Sequence, residues 1–268
     1  MAKKKTYPVL PNSVYVWRGF MAPPPQTYAR FAGFLGSVFV PACALLQPTV
    51  GLRAYIPTMV PQANKPAAVP DQTALMFWAP PQSHDLANEA IAVRIYQNLH
   101  GDAYDMTRSH LPEVPTALPV SSDAFVVEQP YFLFANAADW MLGTTRHVVG
   151  AKPGSMSQAD FQTAVFQWAV DFQRKPAAGA DAALLCCGNG YAVAWVHAPK
   201  VTVDFDKALD DFAALTEVQL QITPRSHALK AGLWDNWAGL DLTLPKNTSL
   251  NVRFERHADT TPKPPKSQ

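Results

Sequence analysis

Cysteine is scarce in this chain: three in 268 residues, Cys43, Cys186 and Cys187. An odd number, with two adjacent, excludes a secreted disulfide framework and supplies no CxxC metal pair. A reducing, cytoplasmic setting is the expectation. Charge is scarce too, since Asp, Glu, Lys and Arg make up 16% of the residues against roughly 25% in ordinary soluble domains. The 22 basic and 21 acidic side chains nearly cancel to a net charge of +1. No one-signed field is left to hold nucleic acid or an anionic membrane, and a weakly charged surface suits one covered by a partner, such as a homo-oligomer contact. Long apolar runs are missing as well. The most hydrophobic stretch, residues 31–46, is interrupted by Gly33, Gly36 and Pro41 and is shorter than the ~20 residues that cross a bilayer. A buried helix is expected there. Lys3, Lys4 and Lys5 are followed by Pro8, Pro11 and Asn12 instead of an apolar run, so residues 1–13 read as a solvated tail and not as a signal peptide. No GxSxG, Walker A or GxGxxG string occurs, which disfavours serine-hydrolase, P-loop and dinucleotide-binding readings. None of the seven histidines stands at a metal-ligand spacing beside a carboxylate or cysteine, so no metal site is expected.

Proline is abundant, with 25 residues, and it punctuates a regular alternation. Val14 to Phe20 is rich in β-branched and aromatic residues and reads as a strand. Residues 26–47 repeat apolar side chains at spacings of three and four, which predicts a helix that Pro41 bends or ends. Gly51 to Ile56 and Thr73 to Ala79 read as strands, and His84 to His100 as a helix. Residues 101–123 look like loop, and Ala124 to Phe134 like a fourth strand.

The order then starts again. Trp140 to Val149 reads as a strand; Ser157 to Asp160 looks like a capping box before a helix that gathers Phe161, Val165, Trp168, Ala169 and Phe172 on one face. Ala182 to Cys187 and Tyr191 to His197 are strands joined by Gly188-Asn189-Gly190, a hairpin signal because these residues accept positive φ. A helix over 204–220 and a closing strand over Leu250 to Arg256 complete the set. Leu75 to Pro80 and Val193 to Pro199 both end in Ala-Pro before a helix, which points to an internal repeat. The expected organisation is α+β: a tail over 1–13, one ferredoxin-like (βαββαβ) half over 14–135, a second over 136–257, and a disordered tail over 258–268. A single irregular α+β domain is the alternative.

From Phe39-Val40-Pro41 through Gly51-Leu52-Arg53-Ala54-Tyr55 the chain resembles the dimeric α/β-barrel superfamily, most nearly its EthD-like and antibiotic-biosynthesis-monooxygenase-like members. There the first helix ends with a proline and Gly-Leu-x-x-Tyr opens the second strand. Ala74 to Ala79, followed by Ser83, His84 and Asp85, is similar to the group's later strand and second helix. The resemblance covers about a quarter of the chain. It implies two fused units forming an α/β barrel within one chain, and a hydrophobic or aromatic/polyketide-like substrate handled without a cofactor by an oxygenase, isomerase or dehydratase. The group's histidine two residues before the proline is replaced by Phe39, so its chemistry does not transfer.

Candidate site residues come from strand ends and aromatic neighbours. His197 ends a strand beside Trp195, and its counterpart in the first half is Trp78; facing a cleft, His197 is a candidate general acid or base. His147 and Arg146 alternate along one strand, so one of them enters the pocket. Arg18 beside Trp17 is the first half's equivalent, and an arginine in either half is a candidate for an anionic oxygen. The set is therefore His197 and His147 for proton transfer, with Arg18, Arg146, Trp17, Trp78 and Trp195 for substrate. Haem needs one axial ligand, for which His147, His197 or His227 are available, but no cofactor is the expectation. His84 and Asp85 read as a helix start, the apolar setting of Cys186 and Cys187 as inert thiols, and Trp234 to Gly239 as a lid or an oligomer contact. The competing class is a non-catalytic protein that binds a small molecule or self-assembles.

Overall fold

A computed structural model describes residues 14–222 apart from 41, 44–50, 61, 63, 79–83, 86–88, 90, 136–143, 200–204 and 216–218. The closing strand expected over Leu250 to Arg256, the tryptophan loop over Trp234 to Gly239, and both tails lie outside these residues.

The chain is mixed α+β, with two sheets and four α-helices among the described residues. The first sheet holds β1 (Val14–Gly19), β2 (Leu52–Met59), β3 (Gln72–Trp78) and β4 (His110–Glu113), in the spatial order β2-β3-β1-β4 and antiparallel throughout. The helices α1 (Tyr28–Phe34) and α2 (Ile91–Ala103) connect β1 to β2 and β3 to β4. The second sheet holds β5 (Thr116–Ala117), β6 (Pro130–Ala135), β7 (Thr144–Ala151), β8 (Ala182–Gly188), β9 (Tyr191–Ala198) and β10 (Gln219–Ile222), in the order β10-β7-β9-β8-β6-β5. Here α3 (Gln158–Arg174) joins β7 to β8 and α4 (Phe205–Ala214) joins β9 to β10. Strand, helix, strand, strand, helix, strand thus occurs twice, and the spatial order β2-β3-β1-β4 is matched by β8-β9-β7-β10. The two segments that share the Ala-Pro ending provide β3 and β9, the third strand of each set.

Alternation along the strands builds the layers. Val14, Val16, Ile56, Leu75 and Phe77 from the first sheet pack against Val149, Leu184, Tyr191, Val193 and Trp195 from the second. The opposite face of the first sheet, with Trp17, Tyr55, Met76 and Trp78, packs on α1 and α2 through Phe31, Leu35 and Val93. The opposite face of the second packs on α3 and α4 through Phe161, Trp168, Phe172 and Phe212. A barrel closed around an interior is not found: among the described residues no strand of one sheet pairs with a strand of the other. Each sheet carries large apolar side chains on both faces, which it buries by stacking rather than by joining edges.

Four local expectations are corrected. The fourth strand of the first sheet is β4, inside the stretch read as loop; Pro112 is tolerated there because β4 is an edge strand. In the segment read as that strand, Ala124 closes a 3-10 turn that begins at Ser122, and Pro130–Ala135 pairs with β8 in the second sheet. The last helix stops at Ala214, after its buried Leu209, Phe212 and Ala213. Beyond it Leu220 and Ile222 alternate with glutamines, the period of a strand, and β10 pairs with β7. In the hairpin Gly190 alone has a positive φ, 93°; Gly188 is small for another reason, because the Tyr191 ring lies where its Cβ would be. Elsewhere local signals act as read. Ser157 caps α3 by accepting from the Asp160 N–H at 3.1 Å, and the anticipated face of α3 is buried. No helix among the described residues is long and apolar enough to cross a membrane.

Candidate functional site

A cavity of about 410 Å³ lies between the first sheet and its helices, within the range that holds small ligands. Its floor is the helix-facing side of the sheet: Trp17 from β1, Tyr55 from β2, and Ala74, Met76 and Trp78 from β3. These residues share a face because they sit two apart along their strands, and Trp17 is paired directly with Ala74. The far wall comes from α1 and α2. Past Phe34, α1 loosens into one π-helical turn, Leu35–Phe39, and Phe39 reaches the cavity; such turns are common at binding sites. On α2, Val93, Gln97 and His100 follow at spacings of four and three and present one face. Met106, Leu111 and Pro112 also line the cavity, and Met106 and Leu111 are exposed apolar side chains.

Two histidines stand on this mostly apolar wall. His100 donates its Nδ1 proton to the Gln97 carbonyl at 2.8 Å, since a carbonyl can only accept. Burial holds its pKa below the ordinary 6.5, opposed by that hydrogen bond. The ring is therefore neutral at pH 7 with Nε2 as its basic nitrogen. It meets Trp17 and Phe39 edge-on, with centroids 5.3 and 4.6 Å apart. His84 stacks on Tyr15 at 4.0 Å and meets Trp78 edge-on at 5.4 Å. Burial lowers its pKa as well, against the opposing effect of Asp85, whose carboxylate is 3.4 Å from Nδ1.

Of the residues assigned to proton transfer or substrate from sequence, Trp17 and Trp78 line this cavity and the others do not. Arg18, His147, Trp195 and His197 point to the opposite side, between the sheets, where Arg18, His147 and His197 are all but sealed from solvent. Arg18 donates to Glu113 at 2.9 Å and to the Glu128 carbonyl at 2.7 Å. Nε2 of His147 is 3.2 Å from Thr73 Oγ1, and burial drives its pKa down to about 3. Nδ1 of His197 is 2.5 Å from Asp181 Oδ1. His197 was expected in a cleft between sheet and helices; alternation with Tyr191, Val193 and Trp195 turns it to the other sheet instead. Arg146 lies on the helix-facing side of β7, half-buried. His227 is outside the described residues. Cys186 and Cys187 are buried thiols pushed up to about 12 in the case of Cys186. No group of three His, Cys, Asp or Glu residues among the described ones is arranged to hold a metal.

In sequence His100 reads as the end of a helix. Its signal was there: Val93, Gln97, His100 and Tyr104 share one helical face. In sequence His84 reads as a helix start.

Fold and cavity define an α+β protein of two stacked sheets with a pocket lined by Trp17, Phe39, Tyr55 and Trp78. No family model matches the chain, and no curated protein does. Among solved structures it is similar to a putative monooxygenase from Lactobacillus acidophilus NCFM, with TM-score 0.35, 7% identity, and 77% of this chain and 89% of that chain covered. It is similar too to a putative monooxygenase from Fusobacterium nucleatum subsp. nucleatum ATCC 25586, with TM-score 0.37, 7% identity and coverages of 81% and 92%. A third is an anthrone oxidase-like protein, with TM-score 0.33, 8% identity and coverages of 80% and 92%. Likeness at this level carries no argument about activity.

Proposed function

We propose that this chain is a small-molecule enzyme that takes a hydrophobic, aromatic compound into the cavity over the first sheet and removes a proton from it with His100, in a cofactor-independent oxygenation, isomerisation or dehydration. The observation that carries this reading is one pocket walled by Trp17, Phe39, Tyr55 and Trp78 that also holds an imidazole kept neutral by burial and fixed in one tautomer by the Gln97 carbonyl. An aromatic wall supplies binding energy without direction, and a neutral imidazole beside it can accept a proton from an acidic C–H or O–H. The anion left behind would be flanked by the edges of Trp17 and Phe39. We read the two repeated sets of elements as fused ferredoxin-like halves, of which the first keeps the site and the second, with its helix-facing side filled by Phe161, Trp168, Phe172 and Phe212, serves as its support.

The test is turnover of a panel of hydroxylated aromatic compounds in air, followed by absorbance and oxygen uptake, for the parent and His100→Ala. General-base loss costs about 100-fold or more, so turnover should fall at least that far while binding, read by tryptophan fluorescence, changes little. Equal turnover in the two proteins would overturn the assignment.

A further inference from the structure

The cavity has two polar ends. His100 sits at one, against Trp17; His84 sits at the other, stacked on Tyr15 and edge-on to Trp78. Tyr15 and Trp17 are two positions apart on β1, roughly 7 Å along the strand, and Trp78 lies further out, beyond the Val14–Phe77 pair that ends the β1–β3 ladder. Between the ends the floor is Ala74 and Met76, small and flexible side chains over which a flat ring system can lie. The two imidazoles are prepared alike. Each has Nδ1 engaged by an oxygen, the Gln97 carbonyl for His100 and the Asp85 carboxylate for His84. Each is also pushed by burial toward the neutral form. Such a ring offers Nε2 as a hydrogen-bond acceptor.

We infer that His84 is a second recognition group, and that the ligand is an elongated aromatic compound with a hydroxyl at each end, one delivered to His100 and the other held by His84. This rests on the reading of the cavity as the ligand site. It adds a length requirement and a residue that selects substrates without touching the reacting end.

The experiment compares two rigid two-ring probes on the full chain by calorimetry: para-phenylphenol, with one hydroxyl, and para,para′-biphenol, with two. Biphenol should bind about fivefold tighter, the worth of one neutral hydrogen bond. His84→Phe, which keeps a ring to stack on Tyr15, should erase that preference and bring the two probes to equal affinity. His84→Gln, which keeps an acceptor, should restore part of it; a circular dichroism spectrum matching the parent's qualifies each variant. Equal affinities for the two probes, or a His84→Phe variant that weakens both alike, overturns the role of His84 and leaves the cavity reading standing. Failure of both probes to bind the parent overturns the two together.

Discussion

Thr73 and His147 join the two sheets: Oγ1 of one lies 3.2 Å from Nε2 of the other, across the apolar layer between β3 and β7. The histidine is 3% exposed, its pKa is held near 3 by burial, and its ring leans on Trp195 at 5.2 Å. A group so placed is a structural contact between layers, sensitive to its own protonation.

Acid should therefore loosen the stack. The pKa of His147 is about 3 in the folded chain and about 6.5 when unfolded, so between these values the unfolded chain binds the extra proton. This contribution to stability is complete above about pH 6.5 and declines by up to ~1.4 kcal/mol per pH unit as pH falls toward 3. Urea titrations across that range should show the decline, and His147→Gln, which cannot titrate, should flatten it. Parallel curves for the two proteins would assign the acid sensitivity elsewhere.

Arg18 and Glu128 should respond unequally to removal. The guanidinium is fully buried, and its Nε and Nη1 have no hydrogen-bond acceptor among the described residues, although Nε is 3.4 Å from the Glu128 carboxylate. Glu128 also accepts from Tyr191 at 2.8 Å and from the Asn189 N–H at 2.9 Å. Arg18→Met removes a desolvated cation and is expected to change stability by less than about 1 kcal/mol, or to raise it. Glu128→Ala leaves Arg18 paired with Glu113 but takes the acceptor from the buried Tyr191 hydroxyl and the Asn189 N–H, and is expected to cost about 1–3 kcal/mol. Denaturant midpoints of the two variants decide the matter.

Gly19 keeps the cavity open. A Cβ there would meet the Tyr104 ring and would lie 2.7 Å from Trp17 Nε1, while Tyr104 is held by its hydrogen bond to Gln72 at 3.0 Å. Gly19→Ala is expected to cost about 1–3 kcal/mol from overpacking, and the displaced Trp17 should narrow the cavity and weaken aromatic binding. Unchanged affinity for para-phenylphenol in a destabilised Gly19→Ala protein would separate packing from the pocket.

The alternation of elements was legible because each carries its own short-range signal. The Ser157 cap, the apolar face of α3 and the Asn189-Gly190 turn act over a few residues, and the structure shows each of them. Signals failed where a segment's state depended on a distant partner. His110–Glu113, with its proline, becomes a strand only because β1 offers it an edge. Gln219–Ile222 becomes one because β7 does.

The site divided in the same way. Sequence determined which residues share a face within one strand, so Ala74, Met76 and Trp78 stand on one side of β3 and Trp195 and His197 on one side of β9; the register of pairing brings Trp17 opposite Ala74 and His147 opposite Trp195. Which of the two sides meets a helix and which meets the other sheet is decided by tertiary packing, because both faces of these strands are apolar and alternation is silent about what covers them. That choice sealed His147 and His197 between the layers. It left the cavity to His84 and His100, whose place in the pocket depends on a helix crossing the sheet and on no pattern within β1 or β3.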